Sequence, residues 1–192
     1  MGLAESQRLL AGLSTDATLR ARFAEDPQSV AAEFGLTNAE SSSFEALLPN
    51  SITRFAGSLI RKRRGEVESL LPLTFRGLGP GRFASLFRLH ASRFVPSGIK
   101  KHRDDAVAFA GFLAREVAEP PWIGDLARLE AAGLLAHDPT RRWTFVRLRH
   151  HPADLARASV DPPIVPRPSL VIWWRAFSKS QLRRVILTRP IT

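Results

Sequence analysis

The run His150-His151-Pro152-Ala153-Asp154 is where metal-ligating side chains crowd together in this sequence. Consecutive residues of an extended strand point to opposite faces, so the two imidazoles do not converge on one ion. No metal ligand is therefore assigned. Asp104-Asp105 offers two adjacent carboxylates, but they precede an apolar run at a helix start. Carboxylates there complement the helix dipole, which explains them without acid/base chemistry. His90 shares an aromatic face with Phe83, Phe87 and Phe94, the setting of a buried, hydrogen-bonded core histidine. The chain has no cysteine, which excludes thiolate catalysis, disulfides and cysteine-ligated zinc or iron–sulfur sites. There is no Gly-x-Ser-x-Gly, no His-Glu-x-x-His and no dinucleotide fingerprint. The Gly77, Gly79, Pro80, Gly81 turn lacks both the preceding strand and the following Gly-Lys-Ser/Thr of a phosphate loop. No catalytic residue and no cofactor is assigned, and the reading is of a protein that is not an enzyme.

What the sequence does offer is positive charge in the wrong proportion for a passive surface. The net charge is +10, yet residues 1–50 hold three basic residues against seven acids. After Asp138, eleven basic residues stand against two acids, Asp154 and Asp161. Such polarity points to an acidic partner: nucleic acid, an acidic peptide or an acidic protein face. Arg61-Lys62-Arg63-Arg64 is a second basic cluster, read as a solvated helix face or as a phosphate or acidic-protein contact.

The elements that must position these residues change character midway. Thr15-Asp16 caps a helix carrying Leu19 and Phe23, Pro27 restarts one carrying Val30 and Phe34, and Gly35 ends it. A longer helix is predicted from Asn50 to about Leu71, ended by Pro72, and further helices carry Phe83 to Phe94 and Lys100 to Ala118. Pro120-Pro121 then opens a hinge helix whose Trp122, Leu126, Leu129 and Leu134 recur at helical spacing. Beyond His137-Asp138-Pro139 the period shortens to two. Trp143–His150, Ser169–Phe177 and Leu182–Thr188 read as strands, with a helical turn at 152–158, a proline connector at 161–168 and a turn at 178–181. A three-strand sheet is marginal alone and must pack on helices, first of all the hinge helix. The fold class is α+β: an all-helical body followed by a small antiparallel three-strand sheet. Its expected divisions are a helical extension over 1–48, a helical domain over 49–138 and a sheet domain over 139–192. One sheet face is expected to be apolar and the other basic, with an edge free to accept a strand. Trp173 and Trp174 should put one indole on each face.

No apolar run is long enough to span a membrane, and the N-terminus has no basic-then-apolar secretory pattern. A cytoplasmic location, without membrane association, is the corresponding expectation.

The phrase Pro120-Pro121-Trp122-Ile123-Gly124-Asp125-Leu126-Ala127-Arg128-Leu129-Glu130 resembles the signature of a bacterial family labelled putative DNA-binding. Its members accompany multinuclear non-heme iron-dependent oxidases, the methanobactin partner subunit being a related case. The similarity runs over roughly residues 50–190, with Ala131 where the family usually has an aromatic residue. Asp16 to Pro27 with Phe34 to Thr37 is similar to the small helical subunit of extradiol ring-cleavage dioxygenases. The first resemblance implies a non-catalytic subunit that forms a heterodimer with an oxidase and captures the leader of a ribosomally made precursor peptide as an added strand. On that reading Val171, Trp173, Arg175, Arg183 and Val185 line the peptide side, and Asp125, Arg128 and Glu130 serve the hinge and the partner interface. The alternative is a nucleic-acid-binding protein using its basic surface, although no recognition-helix motif occurs.

Overall fold

The computed structural model describes residues 3–97, 99–117, 119–157, 164–177 and 180–188, with side chains outside positions 3, 17, 38–40, 43–53 and 55. Its contacts divide the chain into two units, Met1–Arg63 with Ala91–Val95, and Arg64–His90 with Pro96–Thr192.

The first unit opens with three short helices, α1 (Leu3–Thr15), α2 (Ala17–Glu25) and α3 (Pro27–Glu33). Asp16 caps α2 by accepting from the Thr18 and Leu19 N–H groups, and Asp26 caps α3 through Ser29 N–H. Pro27 sits in the first turn of α3, where its missing N–H costs nothing. Gly35 follows at φ 81°, the left-handed conformation that a glycine C′ adopts without strain. Leu9, Leu13, Phe23, Val30, Ala31 and Leu36 form the core these helices share.

Helix α4 (Asn38–Leu70) begins well before the expected Asn50 and runs into the second unit. There the chain continues through α5 (Pro72–Leu78), α6 (Pro80–Ala91), α7 (Lys101–Glu116) and α8 (Ile123–Ala136). Pro72 ends one helix as expected, but it also starts α5, a helix the glycine-rich sequence conceals. Gly77 lies inside α5 because a Cβ there would come within 2.9 Å of the Trp122 ring. Only a bare Cα admits that packing. The aromatic core is built edge to face: Phe83 against Phe75 and Phe109, and Phe87 against Phe109.

The sheet follows with β1 (Trp143–Leu148), a short α9 (Pro152–Ala156), β2 (Ser169–Trp174) and β3 (Arg183–Thr188). All pairings are antiparallel in the order β1-β2-β3, and α8 packs on β1 and β2. The chain is thus mostly helical with a small three-strand antiparallel sheet, the α+β class the sequence predicts. Residues 164–168 of the proline connector have no regular structure; its first three residues, and Ser178 and Lys179 of the predicted turn, lie outside the described residues. Among the described residues no helix is long and apolar enough to cross a membrane.

Candidate functional site: the sheet and the groove beside its first strand

Two carboxylates on α8, Asp125 buried and Glu130 half-buried, fix the sheet and its helical support. Asp125 projects into the second unit's core, where its Oδ2 accepts from Arg149 N–H at 2.6 Å, His150 N–H at 3.0 Å and His150 Nδ1 at 2.9 Å. The loop leaving β1 is thereby tied to the first turn of α8. Glu130, one and a half turns on, accepts from the N–H groups of Leu73 and Thr74 at 2.8 Å and from the Thr74 hydroxyl at 2.7 Å. It acts as a remote N-cap for α5, whose own cap position, Leu71, has no side-chain acceptor. Burial pushes the Glu130 carboxyl above its usual range, against the pull of these donors. Arg128 between them is largely exposed and stands 3.9 Å from Asp125. A third carboxylate, Asp138, joins the start of α7 to the approach to β1. It takes Lys100 Nζ at 2.9 Å, Arg103 at 2.7 Å and the Thr140 hydroxyl at 2.7 Å. Those donors, Lys100 first, hold its carboxyl well below the usual carboxylate range.

The Asp125, Arg128, Glu130 trio is expected to organise the hinge, by ion pairing within the chain or at a partner interface. Asp125 and Glu130 are engaged inside the chain, by hydrogen bonds to backbone N–H groups and side chains, and of the three only Arg128 is exposed. Asp105, read as a helix-start residue, is buried and bonded to His90 Nε2 at 3.0 Å. His90 is the core histidine its aromatic neighbours imply. The two histidines of the 150–151 pair part company: His150 turns inward to Asp125, and His151 caps α9 by accepting from Ala153 N–H. Among the described residues no three metal-ligating side chains converge.

Register decides what the sheet can offer. Trp143 pairs with Trp174 and Trp174 with Arg183; Phe145 pairs with Ile172 and Ile172 with Val185; Arg147 pairs with Leu170 and Leu170 with Leu187. These nine positions share the outer face, since side chains alternate along each strand. Seven are apolar, two are arginines at opposite corners, and none is acidic. Trp143 is 58 % exposed and Phe145 74 %. The Trp143 and Trp174 rings stack at 5.8 Å, and the Arg183 guanidinium lies 5.2 Å over Trp174.

The inner face holds Thr144, Leu148, Ser169, Val171 and Trp173, buried toward α8. Arg175 is also buried, at 8 % exposure, and donates to the carbonyl of Ala136 at 2.7 Å. The five residues assigned to a peptide side are therefore split. Val171, Trp173 and Arg175 lie buried beneath the sheet, out of a peptide's reach, while Arg183 and Val185 are exposed on its outer side. The expected division into an apolar and a basic face is likewise not found. Most arginines of this region sit at strand ends and in loops, and the outward face is aromatic and aliphatic.

Beside β1 runs an open groove of about 330 Å³. Its floor is made by Val107, Ala110 and Gly111 of α7 with Ala131, Ala132 and Leu135 of α8, and its wall by residues 143–146. Arg128 and Arg141 stand among its lining residues, which include no acid. Because β1 pairs only with β2 among the described residues, its other edge borders this groove with backbone donors and acceptors unpaired by any strand. No floor residue is assigned to a binding site from the sequence. Four of the six are small, Ala110-Gly111 in one helix and Ala131-Ala132 in the next.

The fold and site together define a helix-supported sheet whose first strand has one edge unpaired by any strand among the described residues. No protein-family model and no curated protein matches the chain.

Proposed function

We propose that this chain is a non-catalytic, cytoplasmic recognition subunit that binds a precursor peptide in extended form and delivers it to a partner enzyme. The partner is a multinuclear non-heme iron-dependent oxidase, an assignment that rests on the resemblance of residues 120–130. The observation that carries the recognition role is the free edge of β1 lying along a groove floored by small side chains. An added strand would satisfy its backbone groups on β1 and lodge alternate side chains over Ala110, Gly111, Ala131 and Ala132. Arg128 and Arg141 favour acidic residues in that strand.

The test is reconstitution with the oxidase and the precursor encoded beside this gene. A stable heterodimer that captures the precursor's leader is expected. Gly111→Leu should fill the groove and weaken leader binding by at least about tenfold; the fold should tolerate it, since a Cβ at Gly111 meets the end of the Arg115 side chain, at 3.4 Å. Failure of the chain to associate with either protein would refute the proposal. Tight duplex-DNA binding that falls linearly with the logarithm of salt concentration would transfer the assignment to nucleic acid.

A further inference from the structure

The outer face of the sheet is a second surface, which adjoins the groove along β1, where Trp143 and Phe145 border both. Its nine positions extend over about 14 Å along the strands and 10 Å across them, from ordinary strand spacings. With side-chain margins this reaches the several hundred Å² at which an exposed apolar patch on a single chain signifies contact with something else. Phe177, just past β2, is exposed as well. The Trp143–Trp174 stack with Arg183 laid over it gives the face a rigid aromatic corner, the kind of anchor that dominates interface energetics.

The charge pattern selects the occupant. Arg147 and Arg183 stand at diagonally opposite corners with no acid on the face, inside a region where basic residues outnumber acids eleven to two after Asp138. The same face of a second copy would bring arginines against arginines or against bare apolar surface, which costs free energy in either case. A membrane would require a broader basic rim than two corner arginines. We infer that this face docks a protein segment of opposite character, apolar side chains flanked by carboxylates, through its β2 and β3 positions, none of which lines the groove beside β1.

The experiment uses the full chain and three short synthetic peptides: one alternating glutamate with leucine and phenylalanine, and its glutamine and lysine counterparts. Binding is followed by tryptophan fluorescence, and the site is mapped by ¹H–¹⁵N correlation spectra. The glutamate peptide should saturate, with shifts concentrated at residues 170–174 and 183–187. The glutamine peptide should bind at least about threefold more weakly, and the lysine peptide should not bind. Val185→Ser should weaken the glutamate peptide about tenfold. Arg183→Glu should reverse the preference toward the lysine peptide. Both positions are exposed, so neither variant threatens the fold. Gly111→Leu should leave this binding unchanged, which separates it from capture in the groove. Equal affinity for the glutamate and glutamine peptides would overturn the inference, as would shifts confined to α7 and α8. Sedimentation of the peptide-free chain as a dimer that Val185→Ser disperses would also overturn it, in favour of a second copy.

Discussion

Replacing Asp125 tests how the sheet is held to the helices. All three of its close partners converge on one oxygen, Oδ2: two backbone N–H groups and the His150 ring. Asp125→Ala removes that acceptor from a site where Asp125 and His150 are both buried. A hydrogen bond to a charged acceptor contributes about 1.5–3 kcal/mol, and an abandoned buried donor costs about 1–3 kcal/mol. Since the three act as one unit, the loss should be about 3–5 kcal/mol rather than their sum. Asp125→Asn behaves differently. Its carbonyl can occupy the Oδ2 position and keep all three bonds in neutral form, while its amide points toward Arg128, so about 1–2 kcal/mol is lost. Arg128→Ala should cost less than about 1 kcal/mol, because the pair is long and its arginine exposed. All four tryptophans (122, 143, 173 and 174) lie in the second unit, so urea denaturation followed by their fluorescence reports on this region. At about 2–4 °C per kcal/mol, Asp125→Ala should lower the melting temperature by about 6–20 °C. A measured loss below about 1 kcal/mol for Asp125→Ala, or Asn equal to Ala, would refute the reasoning.

Further substitutions probe the other constraints. Glu130→Ala strips the acceptor from the first turn of α5 and should destabilise by about 2 kcal/mol, while Glu130→Gln keeps an acceptor and should stay within about 1 kcal/mol of the parent. The Glu130 carboxyl is raised in the folded state, so the native protein binds its proton more readily than the unfolded chain does. Stability from this group is full below the ordinary glutamate range and declines as pH rises through the raised value, a slope Glu130→Gln should abolish. Asp138 has the opposite sign: its contribution is present above the ordinary aspartate range and is lost as pH falls below it. The stability gap between parent and Asp138→Asn should therefore narrow when unfolding is measured at progressively lower pH. Thr144→Val replaces a buried hydroxyl that has no hydrogen-bond partner among the described residues, and should raise stability by up to about 1 kcal/mol in urea melts. Gly77→Ala gains helix propensity but drives a methyl into the Trp122 ring, and should cost about 1–3 kcal/mol in the same assay.

The elements were legible where one local signal sufficed. Asp16 before α2, Pro27 within α3, Gly35 after it, and the change from helical to alternating period at Asp138 each mark a boundary the fold keeps. Helix α5 escaped because its glycines argue for a turn. The reason for Gly77 is the tryptophan ring of Trp122 packed against it, and that neighbour is distant in sequence. Asp105 escaped for the same kind of reason. A carboxylate at a helix start looks sufficient in itself until His90 is found 3.0 Å away.

Which way the strands face was not legible, and the cause is physical. Alternation identifies a face only when one set of positions is polar and the other apolar. In β1 the sets are Trp143, Phe145, Arg147 and Thr144, Val146, Leu148; in β2 they are Leu170, Ile172, Trp174 and Ser169, Val171, Trp173. Both sets are apolar enough to be buried, so the pattern carries almost no contrast, and a shift of one residue exchanges the two faces. What breaks the tie is Asp125, reaching from α8 to the backbone just past β1, together with Arg175 reaching Ala136 just past β2. Those two tethers, made by charged groups in the core, set which side of the sheet meets α8. The surplus apolar set is then left outward, and the surface that requires a partner follows from the same bonds that hold the sheet in place.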